Sequence, residues 1–122
     1  MLIFDFNHQS SPMKFKSLLC LLLLTTASQF TTADTIWLDV RSTLEYKMGH
    51  LDGAIHLPHS EVSEQANTLL PNKDDEILVY CRSGGRAGKA LTKLKAMGYN
   101  HVKNIGGLED AAKLKASKME IQ

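Results

Sequence analysis

The amino-acid sequence predicts an α/β domain, a central parallel sheet with helices on both faces. Three observations lead there. Short runs of branched and aromatic residues alternate with stretches of helical periodicity from Ile36 to Leu114, the order expected of strand–helix–strand units. Ile77-Leu78-Val79-Tyr80 is an apolar run preceded by the polar turn Asp74-Asp75-Glu76, which reads as a buried, parallel strand. The helical stretches fall between strands, where right-handed crossovers are the default. At 122 residues the chain holds one domain at most.

The N-terminal third reads as a leader rather than as fold. Lys14 and Lys16 precede the apolar run Leu18–Leu24, and small polar residues follow as far as Ala33. Basic, apolar and small-residue regions in that order describe a secretory signal peptide. The apolar run is too short to span a bilayer. The expected boundaries are an upstream extension over 1–12 that is not native to the leader, a signal peptide over 13–33 beginning at Met13, and the folded domain over 34–122. Cleavage is expected after Ala33, with Ala27 and Ser28 as alternatives. Cys20 lies inside the apolar run, not at its end, which argues against lipid attachment. No stable membrane association is therefore expected after cleavage.

Ile36–Val40 is a strand by composition, with Asp39 and Arg41 at its C-terminal end. Ser42-x-x-Glu45 is a capping box for a short helix carrying Leu44, Tyr46 and Met48, and Gly49 ends it. His50–Gly53 form a loop. Ala54–Leu57 make a second strand, stopped by Pro58. Ser60 is placed to cap a helix through Val62, Ala66, Leu69 and Leu70 to Pro71. Ile77–Tyr80 is the third strand. From Ala87 the pattern turns helical, with Ala90, Leu91, Leu94 and Met97 at helical spacing and Gly98 as the C-terminal cap. His101–Ile105 is the fourth strand. Gly106 and Gly107 turn into a last helix from Leu108 to about Leu114, and the polar tail from Lys115 is expected to fray.

Composition narrows the function. A hydrophobic content of 43% and a charged content of 22% suit an ordinary soluble globular protein. A net charge of +1 without any Lys/Arg run gives no reason to expect nucleic acid or an anionic membrane as partner. His50, His56 and His59 lack the spacing and the carboxylate or thiolate company of a metal set, so loop and packing roles are expected for all three. Removing residues 1–33 takes Cys20 away and leaves Cys81 as the sole cysteine. A lone thiol in an exported domain cannot close an internal disulfide, and its retention in an oxidising compartment calls for a chemical reason.

The surroundings of Cys81 offer one. It stands where the third strand ends, followed by Arg82-Ser83-Gly84-Gly85-Arg86 and the start of a helix. A helix N-terminus carries about half a positive charge and several unpaired N–H groups, so a thiolate there is stabilised and the thiol pKa falls. Gly84 and Gly85 let the backbone turn its N–H groups toward the sulfur. Arg82 and Arg86 add guanidinium forks suited to oxyanions. The plainer reading, a buried cysteine beside two surface arginines, is outweighed by the co-occurrence of strand, glycine pair, arginines and helix start. Asp39 and Arg41 would reach the same crevice at the carboxyl ends of the strands. A structural ion pair tying loops together is at least as favoured for them as a chemical role. Phosphatase or arsenate-reductase chemistry is disfavoured. Only four residues separate Cys81 from Arg86, a ring that suits a sulfur atom better than a tetrahedral phosphate, and no nearby aspartate offers itself as general acid.

Taken in order, Leu38-Asp39-Val40-Arg41, Glu45-Tyr46, Gly49-His50-Leu51-x-Gly53-Ala54-x-His56-Leu57-Pro58, Val79-Tyr80-Cys81-Arg82-Ser83-Gly84-Gly85-Arg86-Ala87, Gly98-Tyr99 and Asn104-x-Gly106-Gly107-Leu108 resemble the single-domain rhodanese family. With the leader and the ending Gly106–Ala111, the chain is most similar to the family's phage-shock branch of small periplasmic thiosulfate sulfurtransferases. The resemblance covers Thr35 to about Lys115. It implies a rhodanese-like domain over 34–122, a periplasmic location, and transfer of sulfane sulfur from thiosulfate to a thiophilic acceptor, cyanide or a thiol. Cys81 would be the nucleophile and sulfur carrier. The backbone N–H groups of Arg82, Ser83, Gly84, Gly85 and Arg86 would cradle the persulfide. Arg82 would attract the sulfonate of the donor, with Arg86 either a second candidate or a brace for the loop, and Asp39 and Arg41 would support the site. No metal or organic cofactor is implied. A protein acceptor, served by the same first half-reaction, is a further partner class. Many family members carry an aromatic residue a few positions after the double glycine, where this chain has Ala111 or Ala112.

Overall fold

The computed structural model describes residues 34–121. The extension and signal peptide expected over 1–33 lie outside the described residues. Four strands, β1 (Thr35–Asp39), β2 (Ile55–His56), β3 (Glu76–Cys81) and β4 (His101–Gly107), alternate with the helices α1 (Thr43–Met48), α2 (Val62–Leu69), α3 (Gly85–Ala96) and α4 (Leu108–Ile121). The strands form one parallel sheet in the order β2-β1-β3-β4.

Successive side chains of a strand point to opposite faces, and the central strands are apolar on both. Ile77, Val79 and Cys81 of β3 join Leu38 and Val40 on one face, where α2 and α3 cover them with Val62, Ala66, Ala87, Ala90 and Leu94. Leu78 and Tyr80 point the other way, with Trp37, and are covered by Ala111, Leu108 and Leu114 of α4 together with Leu51 and Ala54. Helices therefore occupy both faces, as expected.

Sheet register positions the site. Asp39 lies beside Tyr80, and Cys81 beside Gly107 after an irregularity between Val79 and Cys81. The chain leaves β1 toward β2 on one side, while β3 leads to β4 on the other. The carboxyl ends of β1 and β3 thus flank the topological switch point, where open parallel sheets form their crevices.

Several boundaries differ from the sequence expectation. Ser60 does not cap α2: a 3-10 turn over His59–Glu61 leads into the helix, whose N-cap residue Glu61 makes no side-chain capping bond. Pro58 sets φ at −54° and its carbonyl accepts the Glu61 N–H at 2.8 Å, so the chain is already coiled before Ser60 could act. The third helix starts at Gly85 rather than Ala87 and ends in a Schellman motif, with Gly98 N–H on Lys95 O and Tyr99 N–H on Leu94 O. The tail does not fray at Lys115, because α4 continues to Ile121. Its last turns are made of good helix formers. Lys115 Nζ donates to the Asp52 carbonyl, and Lys118 Nζ lies 3.2 Å from Glu76 Oε1. Among the described residues no helix is long and apolar enough to cross a membrane.

Candidate active site

Cys81 ends β3 with only 1% of its surface exposed. Gly84 makes the loop that follows. Its φ of +98° is a left-handed conformation that glycine adopts without strain, and it aims the Gly84 N–H at Cys81 Sγ, 2.9 Å away. The chain then enters α3, whose first bond runs from Gly88 N–H to Gly84 O at 2.9 Å. Burial pushes the Cys81 thiol up, but the backbone N–H groups of Ala87, Ser83, Gly84 and Arg86 outweigh it and hold the thiol below its ordinary value. Of the residues expected to form the cradle, Gly84 makes the hydrogen bond to the sulfur, and the N–H groups of Ser83 and Arg86 are among those that lower the thiol's pKa. Gly85 opens the helix with nothing near the position of a Cβ.

The neighbouring strand closes the loop from beside. A Cβ on Gly107 would collide with the carbonyl oxygen of Arg82, so only glycine lets β4 approach the turn after Cys81 this closely. Asp110, in the first turn of α4, accepts the Gly107 N–H at 2.9 Å and fixes the strand end. An open cleft of about 740 Å³ adjoins the loop, lined among others by Arg82, Glu45, Met48, Leu108 and Asp110.

The two loop arginines have different fates. The guanidinium of Arg86 is spent on Glu45 in a bidentate pair, NH1 to Oε1 at 2.6 Å and NH2 to Oε2 at 3.0 Å. Those bonds pull the Glu45 carboxyl down to about 2. Glu45 also completes the expected capping box with Ser42, so Arg86 ties the start of α3 to the start of α1. A carboxylate thus occupies the fork that made Arg86 the second anion-binding candidate, and the side chain takes the bracing position that was its other expected place. Arg82 is exposed, lines the cleft and makes no ion pair among the described residues.

Asp39 and Arg41 form the structural pair. Asp39 is fully buried, and Arg41 nearly so. Arg41 Nη2 meets Asp39 Oδ2 at 2.7 Å and Nε meets Oδ1 at 3.0 Å, while Nη2 also donates to Gly49 O at 2.6 Å. Tyr80 O–H donates to Asp39 Oδ2 at 2.8 Å and accepts the Leu51 N–H at 3.0 Å. Burial pushes the Tyr80 phenol well up. The network lashes the Gly49–Leu51 loop to β1 and β3 beneath the cleft, and Asp39 has no surface to offer a substrate. Two of the three histidines serve packing: Tyr46 stacks on His50 at 3.7 Å and on His56 at 4.5 Å.

Sequence reasoning missed the hydroxyl of Tyr80, read only as a core strand residue. It also gave no role to Asn104, whose amide lies against Gly84.

Fold and site together define a small parallel α/β domain that holds a buried cysteine sulfur against backbone N–H groups at the start of a helix. The sequence profile of the rhodanese-like domain matches residues 25–113. Over 97 residues the chain is 42% identical to the thiosulfate sulfurtransferase PspE of Escherichia coli (strain K12), covering 80% of this chain and 91% of that protein. It is 36% identical to a tRNA uridine(34) hydroxylase of Photorhabdus laumondii over 78 residues, which span 22% of that protein. Among solved structures, a rhodanese with anions from E. coli superposes with a TM-score of 0.60 at 45% identity, over 62% of this chain and 89% of that one. The chain belongs to the rhodanese-like domain family, and within it is a sulfurtransferase.

Proposed function

We propose that this protein moves sulfane sulfur from thiosulfate to a thiophilic acceptor, cyanide or a thiol, through a persulfide on Cys81. The observation that carries the reading is the Cys81 sulfur held at 2.9 Å by the Gly84 N–H, within a set of donors that lowers its pKa. In the first half-reaction the thiolate attacks the outer sulfur of thiosulfate. A new S–S bond forms on Cys81, the S–S bond of thiosulfate breaks, and sulfite leaves with the electron pair. In the second, the acceptor takes the outer sulfur and the thiolate returns, so cyanide leaves as thiocyanate. The loop N–H groups stabilise the anionic sulfur on either side of each step, and Arg82 meets the sulfonate oxygens. Two half-reactions through a covalent intermediate give ping-pong kinetics. A PspE-like relative named for thiosulfate supports the choice of donor.

Mass spectrometry tests it. Thiosulfate should add about 32 Da, one sulfur, to the peptide bearing Cys81, and cyanide should remove it as thiocyanate. Cys81→Ser should abolish both. A protein that turned over thiosulfate with Cys81 unmodified throughout would overturn the assignment. We further propose that the domain works in the periplasm after loss of residues 1–33, a reading supported by the order of basic, apolar and small residues there.

A further inference from the structure

Asn104 sits on β4, one strand away from the loop that follows Cys81, and is exposed. Its Nδ2 donates to Gly84 O at 2.9 Å, and its Oδ1 accepts the Gly106 N–H at 3.0 Å. The partners fix the amide orientation, since a carbonyl oxygen can only accept and a backbone N–H can only donate. One small side chain thus bridges the glycine turn of β4 and the left-handed residue of the sulfur loop.

That residue needs an outside hold. Gly84 has no side chain to anchor it and visits other backbone regions freely. Its N–H is on Cys81 Sγ and its carbonyl is on Asn104. The N–H and the carbonyl belong to the two peptide units that φ and ψ of Gly84 turn against each other, so holding the carbonyl fixes one unit and limits the dihedral pairs open to the other, which carries the N–H. Gly88 N–H, the other donor to that carbonyl, belongs to α3 and turns with it. Asn104 is the contact that comes from a different element.

We propose that Asn104 is a positioning residue for sulfur transfer: by clamping the Gly84 carbonyl it keeps the Gly84 N–H on the Cys81 sulfur, in thiolate and persulfide alike. The proposal deepens the reading of Cys81 as sulfur carrier and rests on it, but it makes a claim about the thiol that is measurable without thiosulfate.

The test follows alkylation of Cys81 against pH in the full chain. Mass spectrometry at the level of peptides keeps Cys20 out of the signal. Asn104→Ala removes both bonds. Loss of one well-aimed donor should raise the alkylation midpoint by about one pH unit, roughly a tenfold fall in thiolate at neutral pH, with a matching fall in kcat/KM for thiosulfate. Asn104→Ser, neutral and too short to reach both partners, should do the same and stands in if the alanine variant does not fold. Asn100→Ala, which removes an exposed side-chain bond to Asp74 at the far end of the sheet, should leave the midpoint where it is. A midpoint unmoved in a folded Asn104 variant, whatever its melting temperature, overturns the proposal. A shifted midpoint in a protein that takes no sulfur from thiosulfate would sustain the clamp and sink the sulfur-carrier reading instead.

Discussion

Replacing Arg82 by alanine tests how the donor is recognised. The backbone of Arg82 is pinned, because its carbonyl packs against the bare face of Gly107. Its side chain is exposed at the cleft and engaged in no ion pair among the described residues. Truncation should therefore remove the guanidinium and leave the loop in place. Thiosulfate is a dianion whose charge lies mainly on the sulfonate oxygens, and a guanidinium can meet two of them. A hydrogen bond to a charged group contributes about 1.5–3 kcal/mol, so kcat/KM for thiosulfate should fall roughly tenfold to a hundredfold. Decay of preformed persulfide with a neutral thiol should change far less, since backbone groups hold that sulfur. The assay is steady-state turnover of thiosulfate alongside single-turnover decay of the loaded protein. Equal losses in both steps would show that Arg82 shapes the loop; no loss in either would make it a bystander. Each result refutes donor binding by this side chain.

Three further outcomes follow from the same geometry. Tyr80→Phe leaves the Leu51 N–H without its partner and takes one donor from buried Asp39; it should cost about 2 kcal/mol and lower Tm by roughly 10 °C, with kcat/KM near wild type, and calorimetry showing an unchanged Tm would contradict the network. The Cys81 thiol is held below its ordinary value, so persulfide formation should climb with pH and level off below about 8.5, the value of free cysteine; by linkage, the stabilising contribution of the thiolate is complete above that unfolded-state value and is lost as pH falls through the folded-state midpoint. If the leader acts as proposed, N-terminal sequencing of the exported protein should begin at Asp34, and an intact Met1 or Met13 in the cytoplasm would refute it.

How much of this the sequence discloses depends on sequence distance. The strand, glycine pair and helix around Cys81 are legible because each is set by neighbours a few positions away. So is the pairing of Asp39 with Arg41, two residues apart on one strand end. Tyr80 hides its role because Asp39 and Leu51 come beside it only through the β1–β3 register and the loop after α1. Glu45 declares itself as the third residue of a capping box, yet its other task depends on Arg86, 41 positions on. The last turns of α4 are invisible to periodicity because polar contacts to Asp52 and Glu76, rather than an apolar stripe, hold them.

The same distinction explains why two arginines flanking one loop do different work. Arg86 lies in the first turn of α3, part-buried and facing α1, where Glu45 is fixed by its own cap. A carboxylate held that firmly takes the fork in bidentate fashion and braces the helix start whose N–H groups surround the sulfur. Asn104 braces the loop from the opposite side, through β4. With both flanks tied by other groups, the Arg82 side chain makes no ion pair among the described residues and lines the cleft, so under the proposed function its charge is available to the incoming anion. A sulfur site of this kind demands such a division. A cradle aimed by backbone dihedrals tolerates little movement, whereas a guanidinium that greets a dianion in solvent works best unpaired, since a bound carboxylate would cancel the charge that attracts the donor.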